Sequence, residues 1–341
     1  MSSTELQQPT SSQQSAVVPE TSLQRMRRWF VENNSSLIVA VVLLECLIFA
    51  SMSPAFLTVD NFLNIALQIS IYGILAVGMT LVIITGGIDL SVGSVVAFGG
   101  ILAAMTAQSL THSPWLGLVV GAVVGTAAGG IGGLFAGFMV TRFRVPPFIV
   151  TLALMTIARG LAFTISEGVA IGNLPAEFQF LGRQQVGPIP LLVLIMAVVF
   201  LAGYLFLSRT KYGRYVLAIG GNEEASRLSG IRTHRILMAV YLINGLLAGF
   251  AGVALASRLG AGVPNAGSQY ELDVIAAVVI GGTSLMGGVG SIIGTLWGTI
   301  FIGVLNNGLN LANVDPYTQK VALGAVILLA VLLDQWKKQG R

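Results

Sequence analysis

The sequence predicts an all-α polytopic membrane protein, with about ten transmembrane helices built from two repeated halves. Three observations predict it. Of 341 residues, 55% are apolar and only 9% charged, and the mean hydropathy is +0.84; a soluble domain carries about 25% charged residues. The apolar residues fall into runs of the length a bilayer demands, about 20 residues at a rise of ~1.5 Å. One glycine pattern also occurs twice, 195 residues apart. The same composition excludes disorder for most of the chain. Its 42 glycines follow no G-X-Y period, which excludes collagen. A net charge of +4 does not point to nucleic acid, because the cations sort by membrane side. Cys46 is the lone cysteine and forms no internal disulfide.

Residues 1–24 are Ser, Thr, Gln and Pro with little else, and read as a disordered polar tail. Residues 25–36 carry Arg25, Arg27 and Arg28 beside Trp29 and Phe30, an interfacial segment that contacts membrane lipid. A signal peptide is the competing reading, but the apolar run 37–53 is long for an h-region and has no clean cleavage site. A single transmembrane domain follows over 37–336, with spans at 37–53, 62–84, 92–110, 115–140, 147–166, 188–208, 236–256, 273–286, 291–311 and 318–334. The eighth is short and reads equally as a broken or re-entrant helix. With the N-terminus inside, 14 of the 18 Lys and Arg residues lie on the inner side, the tail 337–341 included. That asymmetry predicts a multi-pass protein of the cytoplasmic membrane with both termini cytoplasmic.

The repeat pairs Gly86, Gly87, Leu90, Gly93 and Gly99 with Gly281, Gly282, Leu285, Gly288 and Gly294. Asp89 and Ser284 lie within these blocks. Glycine-interrupted apolar segments in corresponding places often mark a transport pathway. The span count puts both blocks on one side, and a re-entrant segment in either half inverts one of them. In the span 115–140, glycines 117, 121, 125, 129, 133 and 137 make five GxxxG steps. Each step turns the helix about 400°, so the stripe sweeps about 200° and admits more than one close neighbour.

No G-x-x-x-x-G-K-[ST] loop occurs, so the chain holds no nucleotide in a P-loop. His112, His234 and one cysteine make no metal cluster, and no nucleophile–base pair stands out. The chain reads as no enzyme. Asn64, Gln68 and Tyr72 share one face of the second span; Asn306 and Asn310 share one in the ninth, with Asn307 beside them. Amides near aromatics suit a neutral, hydroxyl-rich solute, because they both donate and accept hydrogen bonds. Interhelical hydrogen bonding is the plainer role for the same residues. Glu45 and Arg159 lie inside spans, where ionisable groups face the interior, and pair if their helices are neighbours.

The loop 209–235 holds a short helix. Asn222 is an N-cap, Glu223 and Glu224 favour the positive end, Ala225, Ser226 and Arg227 continue it, and Gly230 is a C-cap. A helix this short is unstable in water alone, so the rest of the protein or a soluble partner holds it.

Four stretches together resemble a known family. They are Gly87–Ser94, Gly213–Ile231, Glu271–Gly288 and Asn306–Leu311. They are similar to the permease subunits of bacterial monosaccharide ABC importers, closest to the ribose branch and related to those for xylose, arabinose and galactosides. The resemblance covers about 36–336; the tail 1–24 is longer and more polar than the family's pattern. It implies an ABC importer permease of about ten helices, acting as a homodimer. It implies a cytoplasmic ATPase subunit that uses ATP and Mg, with no cofactor on this chain, docked on the helix from Asn222 through Arg227. It also implies a periplasmic sugar-binding protein, with outer loops 167–187 and 257–272 as docking candidates, and sugar uptake by alternating access. An ion-coupled secondary transporter using Glu45, Asp89 or Arg159 is the rival class. An ABC permease for a nucleoside, a furanosyl autoinducer or a branched amino acid is the rival within the class.

Overall fold

Each apolar run becomes a helix, but the helices are not equal crossings. The computed structural model describes residues 34–339. The tail 1–24, most of segment 25–36 and the last two residues lie outside the described residues. The helices are α1 Asn34–Met52, α2 Val59–Ile84, α3 Val92–Ser109, α4 Pro114–Arg142, α5 Pro147–Ile165, α6 Leu191–Arg209, α7 Lys211–Gly221, α8 Glu223–Leu228, α9 Thr233–Leu259, α10 Tyr270–Ile280, α11 Ile292–Leu311 and α12 Pro316–Gln339. Among the described residues, seven are long and apolar enough to cross a membrane: α2–α6, α9 and α11. The eighth span is the short element, as its length suggested. Its 11 residues in α10 reach about 16 Å, half of a ~30 Å hydrocarbon core.

α2 is the central helix, packed against α6, α9, α10 and α11. Thr58 caps it by accepting from the Asn61 amide. From Ser70 onward nearly every residue is buried, so its polar side chains need internal partners. Ser70 and Thr80 return their hydroxyl protons to the carbonyls of Ala66 and Ala76, at 2.7 and 2.6 Å. On the outside, α1, α4, α5 and α6 present large apolar side chains such as Leu47, Ile131, Ile157 and Val198, as lipid requires.

α4 joins two partners along its glycine stripe. Gly117 and Gly121 lie on the backbone of Ala107 and Ala103 in α3, and Gly125 lies on Gly99 of α3. Gly129 and Gly133 lie on the carbonyls of Gly245 and Tyr241 in α9, and Gly137 on Met238. A Cβ at Gly129 or Gly133 would overlap those carbonyl oxygens. The drift of the stripe therefore spreads one run of small residues over two helices.

The first glycine block breaks the α2–α3 connection inside the bundle. Gly86, at φ +79°, turns the chain back, and residues 87–91 run without regular structure between α5 and α9. Thr151 of α5 donates to the Ile88 carbonyl at 3.0 Å. Asp89 meets Asn244, eleven residues and thus about 16 Å into α9. α3 accordingly starts at mid-depth. So does α10, because the segment 260–269 folds back along α3: Gly262 packs on Gly100 and Ile101, and Gly267 on Gly93 and Val96.

The second block lies between α10 and α11 and touches the first. The Gly288 amide donates to the Ile84 carbonyl at 2.8 Å, and Gly287 lies against the Gly86 nitrogen. Both blocks thus lie on one side, at the end that also carries α7, whose Gly220 packs on Ile84 and Gly288. The 195-residue register is only approximate in space. The last residues of α2 and α10, Ile84 and Ile280, are 196 apart, and the starts of α3 and α11 are 200 apart. Gly93 is helical, whereas its counterpart Gly288 lies in the connection at φ +76°.

At the opposite end of α6 lies a cap over 166–190. It holds a 3-10 turn Ala176–Gln179, a one-turn helix Phe180–Arg183 and a hairpin of β1 Gln185–Val186 with β2 Ile189–Pro190.

Candidate functional site: a polar cavity at the broken helices

One cavity of about 660 Å³ opens beside the mid-depth start of α10, a size in the usual range for small-molecule sites. α2 contributes Gln68 and Tyr72, α9 contributes Arg258, and 260–269 contributes Asn265, Ser268 and Gln269. α10 adds Tyr270 and Asp273, α11 adds Asn306 and Asn310, and α12 adds Gln319 and Lys320. Amides, hydroxyls, one carboxyl and two cations line it, so it offers donors and acceptors on several sides. Tyr72 and Tyr270 stand with ring centroids 4.5 Å apart, tilted at 52°, an aromatic surface among the polar groups of the lining. The Tyr72 side chain lies beside the Asp273 carboxyl, itself 9% exposed. Gln269 adopts φ +70° at the N-cap of α10, a backbone conformation that a non-glycine side chain holds under strain.

The broken helices explain buried carboxyls at this depth. A helix start leaves N–H groups unpaired and carries partial positive charge, which favours acids. Glu271 and Asp273 lie in the first turn of α10. Asp89 precedes α3, and its Oδ1 accepts from the Ser91 amide at 2.8 Å and the Ser91 hydroxyl at 2.6 Å. Its Oδ2 accepts from Asn244 Nδ2 at 2.8 Å. Asp89 is thus fully engaged in holding the broken segment, and Asn244 is fully buried with it.

The polar residues singled out by spacing divide. Gln68, Tyr72, Asn306 and Asn310 come together in the cavity. Asn64 lines a separate, smaller pocket of about 240 Å³ with Asp60, Gln185 and Pro188. Asn307 is buried and exchanges two side-chain hydrogen bonds with Asn61, at 3.0 and 2.9 Å, the interhelical role. Glu45 and Arg159 are not brought together. Arg159 Nη1 donates to the carbonyls of Pro264 and Ala266, both at 2.8 Å, and Glu271 is the nearby carboxylate. The Glu45 carboxyl is buried without a hydrogen-bond partner.

In the basic loop, Asn222 Oδ1 accepts from the Ala225 amide at 2.9 Å, and Gly230 follows the helix end at φ +86°. The expected N-cap and C-cap glycine are both formed. Arg227 donates to Glu224 at 2.6 Å, which holds the Glu224 carboxyl below its ordinary range. Of Asn222 through Arg227 only Ser226 is buried, and Leu228 beyond them is 78% exposed. The stretch before it, for which the sequence reading gave no element, is the helix α7. Its signal was present: Thr210 caps it through the Gly213 amide, and Gly213, Val216 and Ile219 recur on the buried side.

Residues 61–331 match the family described as branched-chain amino acid transport system / permease component. The chain belongs to this permease family. It is 45% identical over 321 residues to the ribose import permease protein of Escherichia coli K12, covering 92% of this chain and 96% of the relative. The ribose import permease of Bacillus subtilis is 45% identical over 293 residues, 85% and 89% of the two chains. The L-arabinose ABC transporter permease of Azospirillum brasilense is 39% identical over 316 residues, 92% and 91%. No solved structure matches the chain. The permease is accordingly a multi-pass membrane transport subunit and not an enzyme, and ABC permeases of this kind work with an ATPase and a solute-binding protein.

Proposed function

We propose that this permease is the membrane-spanning subunit of an ATP-driven importer for a monosaccharide, ribose or a similar pentose or hexose. The observation that carries the reading is the cavity that gathers Gln68, Tyr72, Asn306 and Asn310. Its two adjacent tyrosines and its amides match the alternating apolar and hydroxyl faces of a sugar. The family description names branched-chain amino acids, but their side chains bring no hydroxyls to the amides and phenols of this lining. The sugar-permease relatives support the same choice.

In this reading the basic end of the bundle is cytoplasmic, by the positive-inside rule. Asn222 through Arg227, all exposed but Ser226, dock the ATPase, which explains a six-residue helix that buries so little of its own surface. Residues 209–235 form the coupling loop of one membrane domain, 37–336. The cap receives the solute-binding protein; the segment 257–272, expected to share that role, instead runs back along α3 to mid-depth and lines the cavity. Two copies of the chain enclose the route, and ATP binding and hydrolysis in the partner rock the two halves between inward and outward access. Selectivity rests chiefly with the binding protein, so the cavity binds sugar weakly.

The test is uptake of labelled ribose into vesicles holding the permease with its ATPase and binding protein, with leucine as competitor. Ribose uptake that needs internal ATP and resists leucine supports the reading; uptake abolished by a proton ionophore with ATP present moves it to the secondary-transporter class. Replacing Glu223 and Glu224 by lysine is expected to leave hydrolysis without transport and the thermal midpoint unchanged. Normal uptake by that double variant would sink the coupling assignment.

A further inference from the structure

Arg258 belongs to the cap and to the cavity at once. Its backbone seats the cap: Arg183 Nε donates to the Arg258 carbonyl at 3.2 Å, and a Cβ on Gly182 would overlap the Arg258 nitrogen and Cα. The preceding Ser257, fully buried, accepts from the Gly182 amide at 2.8 Å and donates to the Phe178 carbonyl at 2.6 Å. Its side chain lines the cavity, with Nη1 reaching the Leu67 carbonyl at 3.4 Å, one residue before Gln68. The chain beyond it is held on two sides. Gly262 and Ile171 exchange backbone hydrogen bonds at 2.8 and 2.9 Å, and Arg159 holds Pro264 and Ala266.

We infer that Arg258 is a positioning residue through which a protein docking on the cap sets the shape of the cavity. The inference rests on the proposed docking of a solute-binding protein at that end. Gly182 itself lies backbone on backbone against Ser257 and Arg258 in the last turn of α9, with no side chain of its own to absorb a shift. Any displacement of the one-turn helix Phe180–Arg183 therefore moves the Arg258 Cα, and the guanidinium at the cavity wall moves with it. The bond from Ile171 to Gly262 carries the same displacement into the segment that supplies Asn265, Ser268 and Gln269. Sequence reasoning missed this relay because no local spacing brings together Arg183 and Arg258, 75 residues apart.

The experiment measures ATP hydrolysis by the reconstituted importer against the concentration of sugar-loaded binding protein, in the wild type, Gly182→Ala and Arg183→Gln. The ratio of maximal stimulated to basal hydrolysis is expected to fall about threefold or more, while the half-saturating concentration moves less than about twofold. A raised half-saturating concentration with full maximal stimulation would make the cap a docking surface alone and overturn the relay. Two unchanged parameters would overturn it as well. Arg183 is exposed and contributes one bond to this seat, so Arg183→Gln decides the matter if Gly182→Ala does not fold. A thermal midpoint for each variant separates a lost relay from a lost structure. A wild-type complex that no sugar-loaded binding protein stimulates counts against the functional reading itself, and the inference falls with it.

Discussion

The two halves of the bundle interior solve opposite problems. α3, α4 and α9 meet glycine on backbone, with Gly125, Gly129 and Gly133 facing Gly99, Gly245 and Gly249. Around the cavity, α2, α10, α11 and α12 meet through amides, tyrosines and charged groups, and leave about 660 Å³ open. Lipid tails are as apolar as leucine, so helices in a membrane gain little from burying apolar surface against each other. Close approach and hydrogen bonding remain. The first builds a wall with no space in it; the second builds a lining that binds a polar solute. One chain uses both, side by side.

The largest effect is expected from filling the wall. Gly129→Leu puts a side chain where a Cβ already overlaps the Gly245 carbonyl. The cost is about 3 kcal/mol, at the upper end for overpacking. Gly160→Leu is the control, because nothing lies within 4 Å of a Cβ there. Thermal unfolding in detergent should separate the two variants by many degrees, and equal midpoints would refute the rigid wall. Next comes the polar pin between wall and break. Asp89→Ala removes the acceptor of the Ser91 amide and of Asn244 Nδ2, at about 1–3 kcal/mol for each buried donor left unpaired. Asp89→Asn keeps an acceptor and should recover most of the midpoint.

The cavity is expected to behave differently. Gln68→Leu and Asn306→Leu should lower uptake about tenfold, the effect of one hydrogen bond of about 1.4 kcal/mol, with the midpoint nearly unmoved. A collapse of stability instead would make these residues part of the wall. The smallest effect belongs to the exposed pair on α8. Arg227 holds the Glu224 carboxyl below its ordinary 4.5. A depressed carboxyl contributes stability above its unfolded value, and that contribution is lost as pH falls through the lower folded value. Amide exchange over 223–228, corrected for intrinsic rate, should therefore quicken as pH drops below about 4.5, and Arg227→Ala should remove the dependence.

What was legible in the sequence was geometry carried within one helix. The four-residue glycine step fixes how a stripe drifts, so two close neighbours for α4 follow from spacing. The N-cap at Asn222 follows equally, because capping is local. Which helices meet is not local. Gln68 and Tyr72 on α2 were legible as one face, but Arg258, Asp273, Gln319 and Lys320 reach the cavity from three other places. Pairing Arg159 with Glu45 also fails for want of long-range information, since its acceptors are the backbone carbonyls of Pro264 and Ala266 and its nearby carboxylate is Glu271, all more than 100 residues further on. Likewise the glycine repeat marked both breaks but blurred their difference: one connection of seven residues re-enters the bundle around Asp89, while the other, of eleven, closes on itself from Ser284 to Val289.

The Arg159 clamp has a history as well as a position. Its acceptors lie 105 and 107 residues further along the chain. At about 5–20 residues per second of synthesis, α5 waits roughly 5–20 s for them. During that interval its guanidinium stands in a helix entering lipid, where a central arginine costs about 2.5–3.5 kcal/mol. Until 260–269 supplies those carbonyls, the apolar residues of α5 must offset that cost alone.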